Sequence, residues 1–278
     1  MIQVWFNLVI VYAFLVTGTN QHMVKLSKLT GWLLSAICVT QLMSPAFATS
    51  FVDVVKTLKP GVVGVGIYDP LGTPRVQLLG TGFVVPPGNL IATNQHVVNK
   101  ALSQDSKQSW AVFAGHGERP RVLVSTIVAT DEEHDLALLK MDVTLTPLTL
   151  GADTPLPDGS DIAITGFPIG SVLGLYPATH KGIVAAYSPV AIPTVHSQQL
   201  DVAMLKRLRD PFMVYQLDVV AYPGNSGSPV YNVHNGQVVG IVNKVFVKGT
   251  KETALTDPSG ITYAIPVKYL KDMLKNDY

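Results

Sequence analysis

Between Val62 and Pro266 the sequence falls into twelve short β-type runs, separated by stretches rich in Gly, Pro, Asn, Asp and Ser. They are VVGVGIY (62–68), VQLLGTGFVV (76–85), LIATN (90–94), SWAVFA (109–114), RVLVSTIVAT (121–130) and LALLKM (136–141), then 161–167, 180–187, 212–218, 228–232, 237–247 and 261–266. Runs this short, rich in β-branched residues and punctuated by turn residues, predict an all-β barrel or sandwich. A Pro-, Gly- and Asp-rich stretch, LGADTPLPDGS, divides the first six from the second six. Helical spacing occurs twice, at Leu200, Met204, Leu205 and Leu208 and at Val267, Leu270, Met273 and Leu274. The first reads as a surface insertion, the second as a C-terminal helix docked on the β body.

Residues 1–48 are of another kind. From Met23 the chain carries Lys25 and Lys28, an apolar run through Leu42, and Ala46-Phe47-Ala48 before Thr49. This is the three-part layout of a secretory signal peptide, which predicts cleavage after Ala48 and an exported, periplasmic or extracellular product. Upstream, residues 2–18 (IQVWFNLVIVYAFLVTG) are about as long as the shortest membrane spans. They have no basic flank, and a second export signal follows directly. Residues 1–22 therefore read as an over-extended start, and membrane association is expected only if 2–18 is a real anchor. Cys38 follows Ile37, where lipidation requires a small residue, so no lipid anchor is expected.

Loss of Lys25 and Lys28 lowers the 20 basic residues to 18 against 19 acidic ones, a net charge near −1. Such a balance offers no electrostatic basis for binding nucleic acid. The only cysteine, Cys38, leaves with the signal, so neither a disulfide nor a cysteine metal site is expected. Stability must come from the core.

Three segments carry candidate chemistry: His96 in IATNQHVV, Asp135 in EHDLALLK and Ser226 in AYPGNSGSPV. Each also has a plain structural reading, as a satisfied histidine, a strand-end acid and a turn serine. Asp131, Glu132 and Glu133 compete with Asp135 for the acidic role. In the order His, Asp, Ser, however, these are the residue types of a nucleophilic hydrolase. A serine hydroxyl attacks well only when a base removes its proton. An imidazole does this near neutral pH, and a carboxylate fixes the imidazole's tautomer.

TNQHVV, HDLALLK and GNSGSP together resemble the catalytic segments of the trypsin-like, chymotrypsin-fold serine proteases, and more closely their HtrA/DegP-type branch. The resemblance covers nearly the whole exported chain. LKPGVVGVGIYD is similar to the opening strand, GTGFVV to the strand before the histidine, GFPIG and KGIVAAY to central segments, and GITYAIPVKYL to the closing strand and helix. It implies an all-β fold of two six-stranded antiparallel β-barrels with a C-terminal helix, spanning residues 49–278, with barrels at about 60–145 and 158–266. It further implies Ser226 as nucleophile, His96 as general base and then acid, and Asp135 as orienting carboxylate. The N–H groups of Gly224 and Ser226 would form the oxyanion hole. By the same resemblance Val220, Ala221, Val242, Asn243 and Lys244 would line the primary specificity pocket, which suits a neutral, small or aliphatic side chain.

Asn225 stands where the wider family has an aspartate that pairs with a new N-terminus, so zymogen cleavage is not expected. HtrA proteins continue into PDZ domains, whereas this sequence stops about fifty residues after Ser226, so PDZ-mediated control is not expected either. His116, His134, His180, His196 and His234 lack metal-ligand spacing, and no metal or cofactor is expected. The expected function is a serine endopeptidase acting on proteins or peptides, possible in protein quality control and as a homo-oligomer. The alternative is a chaperone-like or binding module with a dormant protease site. Residues 188–212 read as a solvated surface helix, or as an element overhanging the cleft or mediating self-association.

Overall fold

The computed structural model describes residues 50–103, 107–117, 120–168, 174–189, 212–245, 261–276 and 278, with the side chains of 244 and 245 excepted. Chain contacts separate residues 1–48 from 49–278, and the described residues all belong to the second unit. The expected signal segment, the stretch at 2–18 and the expected helix at 197–210 lie outside the described residues. Among the described residues no helix is long and apolar enough to cross a membrane.

All twelve expected runs are strands. The first six are β1 (Val62–Tyr68), β2 (Val76–Val85), β3 (Leu90–Thr93), β4 (Ser109–Ala114), β5 (Arg121–Asp131) and β6 (Leu136–Met141). The second six are β7 (Asp161–Gly166), β8 (Ala178–Pro189), β9 (Met213–Asp218), β10 (Pro229–Asn232), β11 (Val238–Val245) and β12 (Ile261–Pro266). Each set closes into a barrel, in the orders β1-β2-β3-β6-β5-β4 and β7-β8-β9-β12-β11-β10. The two barrels therefore share one antiparallel topology, and closure leaves no open sheet edge.

Strand β1 shows why the runs are continuously apolar rather than alternating. Its burial is unbroken from Val62 to Ile67. Successive side chains point to opposite faces of a strand, and here both faces are covered. Val63, Val65 and Ile67 join Val84, Ile91, Val112 and Leu139 inside the first barrel. The register agrees, pairing Val65 with Val112, Val84 with Ile91 and Ile91 with Leu139. Ile162, Ile164, Val184, Leu217, Val230 and Ala264 fill the second barrel in the same way.

The opposite faces meet in a third cluster, where Phe83, Phe113, Leu136 and Leu138 of the first barrel join Ala163, Phe167, Tyr231 and Ile241 of the second. Each fully buried Phe or Leu here is worth about 1.5–3 kcal/mol, so the two barrels are held as one body.

Two helices complete this cluster. The expected C-terminal helix is α2 (Val267–Met273), which buries Val267, Leu270 and Met273. An unexpected one, α1 (Phe51–Leu58), precedes β1. Its sequence FVDVVKTL is poor in strong helix formers, but Ser50 caps it. The Ser50 hydroxyl oxygen accepts the Asp53 N–H at 3.2 Å, and its O–H donates to the Asp53 carboxylate at 2.7 Å. Val54 and Leu58, four residues apart, then share the buried face.

Candidate active site

Antiparallel pairing brings His96 and Asp135 together. Thr93 at the end of β3 faces Ala137 at the start of β6, so the residues just after β3 lie beside those just before β6. His96 sits in a 3-10 turn, Gln95–Val97, directly after β3. Asp135 closes the β5–β6 turn with φ of 52°, the only described non-glycine residue with positive φ; aspartate tolerates this left-handed conformation better than most residues.

Both carboxylate oxygens of Asp135 are committed to His96. Oδ1 accepts the His96 backbone N–H at 2.9 Å, and Oδ2 lies 2.6 Å from Nδ1. A carboxylate oxygen at this distance suits the tautomer that carries its proton on Nδ1, and in a neutral imidazole of that tautomer Nε2 is the atom left to accept a proton. The backbone carbonyl of Asp135 also accepts the N–H of Gln95 at 3.2 Å and the Asn94 side-chain amide at 3.0 Å. The rival acids are otherwise placed: Asp131 binds His134 at 2.7 Å, and Glu132 and Glu133 are exposed.

Ser226 lies between β9 and β10, on two consecutive tight turns. The first spans Tyr222-Pro223-Gly224-Asn225 and is closed by Asn225 N–H donating to the Tyr222 carbonyl at 3.0 Å. Proline at the second position and Gly224 at the third, with φ of 100°, define a type II turn. The second spans Asn225 to Ser228, closed at 2.9 Å, with Gly227 at φ of 85°. Along this loop the N–H groups of Asn225, Gly227 and Ser228 donate to Tyr222, Val242 and Asn225. Among the described residues, those of Gly224 and Ser226 have no acceptor within the protein. Two unspent donors flank the candidate nucleophile.

Thr81 of β2 binds this loop to the first barrel. Its N–H donates to the Ser226 carbonyl at 2.9 Å and its hydroxyl to the Gly224 carbonyl at 2.7 Å. Its hydroxyl oxygen accepts the Phe167 N–H at 3.0 Å, and its own carbonyl accepts the Thr93 hydroxyl at 2.7 Å. The neighbouring Gly80 leaves the space for this approach: a Cβ there would lie 2.8 Å from a Val97 methyl and 3.0 Å from the Ser226 carbonyl oxygen. The Ser226 backbone thus lies close to the residue that follows His96. Among the described residues no hydrogen bond joins the Ser226 hydroxyl to the His96 ring. Sequence reasoning missed Thr81; its signal was a lone hydroxyl residue between two glycines in GTGF.

Residues 80–241 match the model of the trypsin-like peptidase domain. The chain belongs to the trypsin-like peptidases. Its relatives in this family are of the HtrA/DegP type. It is 32% identical over 203 residues to a probable periplasmic serine endoprotease, DegP-like, of Halomonas elongata, covering 72% of this chain and 35% of that protein. It is 30% identical over 233 residues to serine protease HTRA3 of Rattus norvegicus, covering 81% of this chain and 44% of that one. The chain thus spans less than half the length of these curated relatives. Among solved structures, the active form of the Rv3671c protease from M. tuberculosis superposes with a TM-score of 0.58 at 24% identity, over 84% of this chain and 86% of that one. That likeness speaks for the fold.

In this trypsin-like domain the residues expected to line a specificity pocket divide by burial. Ala221 and Val242 are buried in the core of the second barrel, at 1% and 0% exposure, whereas Val220 is 37% exposed. Asn243 is half-buried, and the side chain of Lys244 lies outside the described residues. Asn225 is fully buried, and neither its amide nitrogen nor its amide oxygen has a hydrogen-bond partner. A carboxylate in its place would be an uncompensated buried charge. His116 and His234 are exposed and His196 lies outside the described residues. Among the described residues no three His, Cys, Asp or Glu side chains gather as metal ligands.

Proposed function

We propose that the chain is an exported serine endopeptidase that cleaves proteins or peptides through an acyl-enzyme. The observation that carries this reading is the double grip of Asp135 on His96, at 2.9 Å and 2.6 Å. It leaves Nε2 as the only basic atom of the imidazole.

In the proposed reaction Ser226 Oγ attacks the scissile carbonyl while Nε2 of His96 takes its proton. Asp135 stabilises the imidazolium without taking a proton itself. The N–H groups of Gly224 and Ser226 donate to the developing oxyanion. His96 then protonates the leaving amine, and a water deacylates Ser226 by the same route in reverse.

The neutral side chains of Val220, Ala221 and Val242 favour a small or aliphatic residue on the acyl side of the scissile bond, and Val220, 37% exposed, is the one of the three open to a substrate. Export rests on the signal-like residues 23–48, with cleavage after Ala48, and agrees with the word periplasmic in the relatives' names. N-terminal sequencing of the exported product tests this. A product retaining Trp5 or Phe6 would instead support the anchor at 2–18.

Activity is tested with wild-type protein and Ser226→Ala, each incubated with denatured casein and with a fluorophosphonate probe. The proposal expects cleavage and labelling by wild type alone. Casein degradation that survives Ser226→Ala, or a wild-type chain that neither cleaves nor labels, defeats it; the second result supports a dormant, binding module.

A further inference from the structure

The turn that carries Asp135 contains a second histidine–carboxylate pair. Asp131, the last residue of β5, accepts the His134 backbone N–H on Oδ1 at 3.0 Å and lies 2.7 Å from His134 Nδ1 through Oδ2. This repeats, one residue away, the double grip of Asp135 on His96.

The His134 ring is held from outside its own barrel. It stacks on Tyr269 of α2, with centroids 4.1 Å apart and planes at 22°, and meets Phe212 edge-on at 5.0 Å. Phe212 and Tyr269 pack on each other at 5.2 Å. The Tyr269 hydroxyl oxygen accepts the Met213 N–H at 3.2 Å, at the start of β9. Lys268 Nζ lies 4.5 Å from the Tyr269 ring centre. Among the described residues, Asp131 and Tyr269 are the titratable groups in direct contact with this ring, and Lys268 reaches it only through Tyr269. His134 is held through its backbone N–H and its ring by Asp131, and through its ring by Tyr269 and Phe212, while the next residue, Asp135, holds a left-handed φ.

The Asp131 bond to the His134 N–H is ordinary turn chemistry; the grip on the His134 ring by Asp131, Tyr269 and Phe212 goes beyond it. We propose that His134, paired with Asp131, is a positioning residue: it locks the β5–β6 turn so that Asp135 keeps both oxygens on His96, and through Tyr269 it ties this turn to α2 and to the entrance of β9. The proposal rests on the proposed peptidase reading for its consequence in rate, but not for its geometry.

The test reads the His96 Nδ1 proton by NMR in the full-length chain without substrate. A proton in so short a bond to a carboxylate resonates far downfield, and it is assigned by its loss in His96→Gln. It is compared in wild type, His134→Ala and Asp131→Asn, alongside circular dichroism and the rate of fluorophosphonate labelling. The expected result is a resonance shifted upfield and broadened in both variants, at unchanged circular dichroism. Labelling slows by about tenfold or more, within the range that small misplacement of a reacting group costs.

An unchanged His96 resonance in folded variants overturns the proposal, whether or not labelling slows. Should His134→Ala not fold, the isosteric Asp131→Asn decides alone. A wild-type chain that neither labels nor cleaves defeats the peptidase reading, while the resonance still decides this one.

Discussion

The hydroxyl of Thr81 donates to the carbonyl of Gly224 across 143 residues of sequence, at 2.7 Å, and accepts the Phe167 N–H at 3.0 Å. One side chain of the first barrel therefore orients the loop that carries both unspent N–H donors. Thr81→Val preserves its shape and removes both bonds. The expected loss is about 1–3 kcal/mol of stability from stranded polar groups, read by urea unfolding. A fall in kcat of up to about a hundredfold is also expected, by analogy with the loss of an oxyanion donor. Thr81→Ser should retain most of both.

Asp135→Asn keeps the size of the side chain, but its amide can no longer offer two acceptor oxygens to the His96 N–H groups. With the imidazole in the wrong tautomer, kcat is expected to fall about ten-thousandfold. Circular dichroism and thermal unfolding should change little, which separates this effect from loss of fold.

Gly166 is small because three polar groups surround it. A Cβ at that position would lie 2.0 Å from the Ser228 hydroxyl oxygen and 2.9 Å from both Asn225 Oδ1 and Thr81 Oγ1. Gly166→Ala should cost about 1–3 kcal/mol by overpacking. Adding Ser228→Gly should restore part of that loss, a coupling that a double-mutant cycle measures directly. Strict additivity of the two changes would show that the clash is relieved elsewhere.

Asn225→Asp tests the buried, unpartnered site behind Ser226. The site is fully buried and offers the side chain no hydrogen-bond partner, so ionisation of a new carboxylate is disfavoured in the native state. Its native pKa is therefore raised above the unfolded one. The sign follows: destabilisation, about 3–5 kcal/mol for an uncompensated buried charge, is full at neutral pH and shrinks as the pH falls through the raised native pKa. Chemical unfolding at pH 5 and pH 7.5 should give a smaller difference from wild type at the lower pH.

His180 faces Ile164 across β7 and β8, and its Nε2 is buried without a partner. Burial holds its pKa below the ordinary 6.5. The unfolded chain therefore binds a proton that the native one resists. This contribution to stability is complete above 6.5 and is lost progressively as pH falls from there toward the depressed native pKa. His180→Phe should flatten the stability profile below neutrality; an unchanged acid slope would show that other groups govern it.

Much of the architecture was written in local pattern. The twelve strands followed from β-branched runs between turn residues, because extended torsions and turn torsions are chosen within a few residues. Pro223 and Gly224 likewise predicted the turn before Ser226, since one fixes φ and the other tolerates a positive φ. Helix α1 escaped notice because FVDVVKTL has little helical propensity. Its Ser50 cap and the burial of Val54 and Leu58 between the barrels outweigh that propensity.

The candidate site was legible in its residue types and not in its partnerships. HDLALLK singled out Asp135 only through a family likeness; nothing local distinguished it from Asp131, and each acid binds a histidine in the folded chain. Thr81 was invisible as a clamp because its partners, Gly224, Ser226 and Phe167, lie in the other barrel. By itself the sequence determined where strands and turns form, and which His, Asp and Ser segments could carry chemistry. Only the tertiary structure decided which acid grips His96, 39 residues distant, and which hydroxyl holds the Ser226 loop. The physical reason is that such pairings depend on strand register, barrel closure and the packing of two barrels, and no short stretch of chain encodes these alone.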